Sequence, residues 1–226
     1  MCGRYTLTQV PEKEVVVYPE TEKPALIPRY NVAPSQLMPV IPMSDPSHVH
    51  FYRWGLIPFW AKDKKIGYKM INARSETLHE KSAFKRPFQK QRCLVPADGF
   101  YEWKRSPEGK QPYRITLQDE TLFYFAGLFD SWRSPEGQTI YSYTIVTTEP
   151  NELMLDIHDR MPVILDAGSA ERWLSQQESA EELRELFVPF PAERMKAYPV
   201  SPLVGNVRNE SSRLIDPYEP PPTLFS

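Results

Sequence analysis

The sequence predicts a single α+β domain: a curved, mainly antiparallel β-sheet or partly closed barrel with short helices around it. Three observations lead there. Six runs rich in β-branched and aromatic residues crowd the middle of the chain, and segments with helical spacing lie on either side of them. Prolines, 24 against nine glycines, are spread along all 226 residues, so many short elements are joined by stiff turns. With 41% hydrophobic residues the chain can bury a full core in one domain.

The first strand is expected over 50–54, followed by a helix over 73–84 that Asn72 would start. Strands then follow over 92–95, 100–104, 113–117, 122–129 and 139–147. Two identical Ser-Pro-Glu-Gly segments, at 106–109 and 134–137, place Pro second and Gly fourth in a type I turn, and each should close a hairpin. Beyond the strands, Thr148 and Pro150 can start a short helix through Leu155, and Ser169 one over 170–176 that buries Trp173 and Leu174. Ser179-Ala180-Glu181-Glu182 is a capping box leading into Leu183, Leu186 and Phe187 at helical spacing. The domain is expected over 1–213, with a loosely packed Pro-rich tail over 214–226.

Charge and cysteine content narrow the function classes. A formal net charge of −2 argues against a globally basic nucleic-acid binder. The charge is uneven: 62–92 carries ten Lys/Arg against three acids, and 149–193 three Arg against eleven acids. One region can face phosphate while the other faces water, although solvated helix surfaces would give the same pattern. Cys2 and Cys93 are the two cysteines, without zinc-ligand spacing, and the four histidines have none either, so no metal or cofactor is expected. With no apolar run near ~18 residues and no charged-then-apolar leader, a soluble protein of a reducing compartment is expected, cytoplasmic or, in a eukaryote, nuclear. Nothing demands more than a monomer.

Position 2 carries the most chemistry. The Cys2 side chain is small enough for a preceding Met1 to be trimmed, which leaves an α-amine and a thiol on one Cα. An α-amine with a pKa near ~7.8 is about a quarter unprotonated at pH 7.4, against about 0.1% for a lysine. An aldehyde meeting this 1,2-aminothiol can form a Schiff base that the thiol closes into a thiazolidine. Three further polar positions admit a chemical role beside an ordinary one. Asn72 is a helix cap or a neutral amide donor. Glu102 shares a strand face with Phe100, so it sits at a sheet edge or lines a pocket where desolvation would suit it to acid/base work. His158, flanked by Asp159 and Arg160, is structural or exchanges protons near neutrality.

Taken in order, Met1-Cys2-Gly3-Arg4-Tyr5, Tyr30-Asn31-Val32-Ala33-Pro34, Arg53-Trp54-Gly55-Leu56-Ile57-Pro58, Asn72-Ala73-Arg74-Ser75-Glu76-Thr77, the segment around Glu102 and His158-Asp159-Arg160-Met161-Pro162 resemble the SRAP family of abasic-site processing proteins, also called SOS response-associated peptidases. The resemblance covers about residues 2 to 210. It implies that Cys2 crosslinks to abasic sites in single-stranded DNA, with Asn72, Glu102 and His158 supporting the reaction. It further implies phosphate contacts from Arg4, Arg74 and Arg160, aromatic contacts from Trp54 and Trp103, and a role in the damage response alongside replication or repair proteins. Arg86, within the basic stretch, is expected to join the DNA contacts. Two rivals use the same residues: a peptidase with Cys2 as an N-terminal nucleophile, and a non-covalent reader of modified bases.

Overall fold

The computed structural model describes residues 2–16, 26–107 and 109–219. Its strands are β1 (Tyr5–Leu7), β2 (Glu14–Val15), β3 (Arg29–Val32), β4 (Leu37–Pro42), β5 (His48–Trp54), β6 (Asn72–Arg74) and β7 (Arg92–Ala97). They continue as β8 (Gly99–Ser106), β9 (Gly109–Leu117), β10 (Phe123–Arg133), β11 (Thr139–Thr148), β12 (Met161–Pro162), β13 (Ile164–Leu165) and β14 (Met195–Pro199). The helices are α1 (Ser82–Lys90), α2 (Glu152–Leu155), α3 (Ala167–Leu174) and α4 (Ala180–Arg184).

Strands β5, β4, β7, β10 and β11 follow one another as antiparallel neighbours. A parallel pairing of Ser142 with Arg53 and Tyr143 with Trp54 brings β11 back to β5 and closes the ring. The expected curved sheet is therefore a five-strand barrel, and closure removes the exposed edges that an open sheet presents. A second, wholly antiparallel sheet in the order β14-β9-β8-β1-β3 packs beside it.

Alternation along the barrel strands sorts side chains between two cores. Cys93, Val95, Phe125, Phe129, Tyr143 and Ile145 join Tyr5, Val32, Phe100 and Ile115 of the second sheet. Leu94, Ala126, Leu128 and Val146 point the other way, onto Phe84 and Phe88 of α1, Trp173 of α3 and Leu183 of α4. All six expected strands form. The turn at Ser134 has its Gly137 N–H donating to the Ser134 carbonyl at 2.9 Å, and Ser106 pairs with Gly109 across the β8–β9 hairpin.

The differences have physical causes. The helix expected over 73–84 is a strand, a short 3-10 turn at Ser75–Thr77 and then α1, because Ala73 is buried in parallel pairing with Val146. Burial there outweighs local propensity. β4 was hidden by Pro39 and Pro42, which demote a run to a non-strand, yet both positions are paired in the barrel. Helix α3 starts three residues before the expected 170, since Asp166 supplies the cap by accepting from Ser169 N–H at 3.1 Å. Asn151, not Thr148, caps α2, while the Ser179 capping box forms as expected. Loose packing from Leu214 onward does not hold through Tyr218: Leu214 is buried, Pro217 bridges to Val200, and Tyr218 N–H donates to Pro199 O at 2.9 Å. The remainder of the expected tail, 220–226, lies outside the described residues. Among the described residues no helix is long and apolar enough to cross a membrane.

Candidate functional site

The register of β1 against β8 builds the site. Tyr5 pairs with Phe100, Thr6 with Gly99, and Tyr101 N–H donates to Arg4 O at 3.0 Å. Strand β1 begins at Tyr5, and the residues before it bring Cys2 into the core shared with Tyr5 and Phe100, close enough to Glu102 for that carboxylate to act on its thiol. Cys2 is fully buried and Glu102 is 3% exposed. Burial pushes the Cys2 thiol well above its ordinary range, and the Glu102 carboxylate adds to the rise. Burial likewise lifts the Glu102 carboxyl above the usual carboxylate range, while His158 pulls it partly back.

His158 comes from the loop after α2. Its backbone N–H donates to Met154 O at 2.8 Å, and its Nε2 lies 4.0 Å from Glu102 Oε2. On the other side of the ring, Nδ1 faces both Arg160 N–H, at 3.0 Å, and Asp159 Oδ1, at 2.8 Å. Asn72 opens β6 rather than capping a helix. Neither its amide nitrogen nor its amide oxygen has a hydrogen-bond partner among the described residues, although both atoms are buried. A buried amide left in this condition costs free energy, and a bound polar group would relieve it.

Three adjoining cavities run past these residues. The largest, about 1050 Å³, is bordered by Arg74, Trp103, Arg105, His158 and Arg160. Trp103, Arg105 and His158 also border a 470 Å³ cavity with Glu102 and Lys110, and Arg74 borders a 490 Å³ cavity with Trp60, Lys69, Asn72 and Lys81. Cationic and aromatic side chains thus recur along the three cavities, with Glu149, Asp156 and Asp159 also on the border of the largest.

Not every expected DNA contact lies free in them. Trp54 is a core residue, 1% exposed, stacked on Tyr143 with its Nε1 donating to Ile71 O at 2.9 Å; it cannot meet a base in this fold. Alternation foreshadows this, since Tyr52 and Trp54 point inward from β5. The exposed tryptophan is Trp60, in the loop beyond Pro58, which sequence reasoning missed along with Arg105 and Lys110. The Arg4 guanidinium donates to Asn31 Oδ1 at 2.7 Å, Val204 O at 2.8 Å and Gly205 O at 3.1 Å, tying the chain start to the 204–205 turn. Arg160 forms a bidentate pair with Glu76 and donates to Thr147 O at 2.7 Å. Arg74 is exposed on the largest cavity. Arg86 lies outside these cavities, with its guanidinium 4.8 Å from the Phe59 ring centre.

Comparison with known proteins identifies the family. The family model described as SOS response associated peptidase (SRAP) matches residues 1–207. Abasic site processing protein YoqW of Bacillus subtilis is 48% identical over 225 residues, covering 96% of this chain and 99% of that one. Abasic site processing protein HMCES of Gallus gallus is 40% identical over 74% of this chain and 56% of its own length. A crystal structure of a Bacteroides thetaiotaomicron protein superposes with a TM-score of 0.78 at 33% identity, covering 84% of this chain and 85% of that one. A Bordetella bronchiseptica protein superposes with a TM-score of 0.73 at 31% identity, covering 88% of this chain and 100% of that one. This chain is a member of the SRAP family.

Proposed function

We propose that the chain captures abasic sites in single-stranded DNA through Cys2, once Met1 has been removed, and so shields the lesion as a DNA–protein crosslink. The observation that carries this reading is the burial of position 2 within reach of the Glu102 carboxylate, which stands 4.0 Å from His158 on the border of a cavity lined by arginine and tryptophan. The relatives named as abasic site processing proteins support it. A thiol pushed up in pKa is a poor first nucleophile, which disfavours the thiol-peptidase rival and leaves the first attack to the amine.

The reaction balances without a cofactor. His158 gives a proton to the ring oxygen of the closed sugar while the C1′ hydroxyl gives its proton to solvent, which restores the His158 proton, and the sugar opens to the aldehyde. The Cys2 amine attacks C1′ to give a carbinolamine. Glu102, holding its proton because it is buried, gives that proton to the departing hydroxyl, and water leaves an iminium. The thiol sulfur then bonds C1′ and its proton returns to Glu102. Asn72 orients the sugar without adding a charge. Single strands suit the reaction because an abasic residue in them needs no unpairing; Trp60 and Trp103 offer stacking surfaces, and Arg74 meets phosphate.

The test incubates the protein with a single-stranded oligonucleotide carrying one abasic site and resolves the products on a denaturing gel. A heat-stable shifted band is expected; its absence from the Met1-processed protein would sink the proposal. The pH profile of band formation should be bell-shaped. The Cys2 amine gains as pH rises toward ~7.8, and the Glu102 proton is lost as pH rises through its raised pKa. Glu102→Gln should slow the reaction by about 10²–10⁴-fold and remove the alkaline limb. The same substitution should raise Tm at pH 8 but not near pH 4. The folded state holds the Glu102 proton more tightly than the unfolded chain, so this carboxyl weakens the fold as pH climbs from ~4.3 through the folded value. An unchanged Tm difference across that range would show that burial does not perturb Glu102.

The two tryptophans should separate cleanly. Trp60→Ala should weaken single-strand binding about 5- to 100-fold with Tm unchanged, as expected for loss of one stacking contact. Trp54→Ala should cost about 3–5 kcal/mol of stability. Equal affinity of Trp60→Ala and the parent protein for a single strand would remove Trp60 from the binding surface.

A further inference from the structure

Beside Cys2 lie two hydroxyls that the bond-forming steps leave unused. Tyr5 of β1 and Tyr143 of β11 turn into the same core as Cys2, both fully buried, and their phenol oxygens stand 2.9 Å apart in a hydrogen bond. Aromatic walls fix the pair. The Tyr5 ring meets Trp54 edge-on with centroids 5.2 Å apart and Phe125 at 5.8 Å, while Tyr143 stacks on Trp54 at 6.3 Å. Neither phenol can swing away without breaking these contacts.

Two hydroxyls carry two protons, and the bond between them uses one. The tyrosine that accepts in this bond must aim its own O–H elsewhere, and among the described residues that proton has no acceptor. Trp54 cannot take it, since its indole only donates and already gives its N–H to Ile71 O at 2.9 Å. Two sulfurs share the core, those of Cys2 and Cys93, and charge on either acts on both hydroxyls. Cys93 packs against Gly127, where a Cβ would stand 2.8 Å from its Sγ, and it takes no part in the reaction. Cys2 carries the sulfur that gains negative charge, during ring closure. Burial and the Glu102 carboxylate both oppose that charge, and a donor aimed at the sulfur would offset them.

We propose that one hydroxyl of the Tyr5–Tyr143 pair donates to the Cys2 sulfur as the thiazolidine closes, while the other hydroxyl holds the donor in place. This rests on the reading of Cys2 as the crosslinking residue. In the step assisted, the S–H bond breaks and its proton passes to Glu102, the S–C1′ bond forms, and the π electrons of the iminium return to nitrogen. Neither tyrosine gains or loses a proton. The earlier attack of the amine on C1′ builds no charge on sulfur, so the pair leaves that step unchanged.

The test follows a single strand carrying one abasic site in two ways: total capture, read by adding borohydride at timed intervals, and the heat-stable band, read without it. In Tyr5→Phe/Tyr143→Phe, capture should proceed at the parent's rate while the heat-stable band forms about 10- to 150-fold more slowly, the loss of one hydrogen bond to a charged sulfur. Borohydride-dependent product should therefore accumulate early in this variant. Its Tm should match the parent's, because replacing both partners of a buried bond by apolar groups of the same shape is nearly neutral. Whichever single substitution reproduces the delay identifies the donor. Cys93→Ala should leave both time courses unchanged; an equal delay there would assign the effect to core packing and overturn the proposal. So would time courses of the double variant equal to the parent's, or a fall of both by the same factor. A parent protein that gives neither product refutes the reading of Cys2 and this proposal with it, whereas a parent that gives both, matched by the double variant, refutes the role of the tyrosines alone.

Discussion

Cys2→Ala is expected to abolish the heat-stable band completely while leaving single-strand affinity within about twofold of the parent's, because strand affinity is carried by groove stacking and phosphate contacts. The substitution keeps the α-amine and deletes the ring-closing sulfur. A Schiff base should therefore still form, revert on heating, and become permanent only when borohydride is added. Cys2→Ser should behave in the same way, since its hydroxyl closes a ring poorly. A variant with one extra residue ahead of Cys2 should give no band with or without borohydride, because the nucleophilic amine has been moved away from the thiol. A thiol peptidase would respond differently: its amine or His158 would act only as a base, forming no bond that borohydride could fix, and Cys2→Ser would keep a slow hydroxyl nucleophile. A heat-stable, borohydride-independent band from Cys2→Ala would remove the thiazolidine from the mechanism.

A stability loss of about 3–5 kcal/mol is expected from Arg92→Met. Arg92 is 2% exposed, and its guanidinium donates to Trp173 O at 2.7 Å, Phe88 O at 2.9 Å, Gln89 O at 3.0 Å and Ser175 O. These carbonyls belong to the last turns of α1 and α3 and to the residue that follows α3, where the helix has no amide left to satisfy them. One side chain thus fastens two helix ends to the first residue of β7. Methionine fills comparable volume and donates nothing, leaving several acceptors buried without partners. In a domain of this size, Tm should fall by roughly 10 °C. Arg172→Met is the contrasting case: its guanidinium meets Glu178 at 3.0 Å and Glu185 at 3.2 Å in the open, and screened pairs of this kind contribute about 0–1 kcal/mol. Equal losses at the two arginines, measured by denaturant unfolding, would refute the argument from burial.

Legibility in the sequence followed the range of the interaction concerned. Alternation placed Glu102 with Phe100 and apart from Tyr101 and Trp103, and the structure keeps that division. The capping box at Ser179 and the turn from Ser134 to Gly137 are local chemistry and form as written, and Ser106 pairs with Gly109 across its hairpin. Barrel closure was not legible: it depends on a short parallel pairing of Ser142 and Tyr143 with Arg53 and Trp54, which no neighbouring residue announces. Asn72 was found on the wrong element, because a polar residue before Ala73 reads as a cap until β11 arrives to pair with it. Residue type also overstated the arginines. Arg4 and Arg160 have the right chemistry for phosphate, but the fold already engages their donors with Asn31, the 204–205 carbonyls, Glu76 and Thr147.

The pairing of β1 with β8 joins positions roughly 100 residues apart, and this sets a clock on the ribosome. During synthesis at ~5–20 residues per second, β3 reaches β1 early, but the β8 side of the chain start stays open until β8 emerges, about 5–20 s later. Within that interval Met1 is accessible to an aminopeptidase; afterwards position 2 is enclosed. Translation that outruns the processing enzyme would yield correctly folded molecules that are chemically inert. The active fraction of a preparation would then report a kinetic race at birth, not the stability of the finished fold.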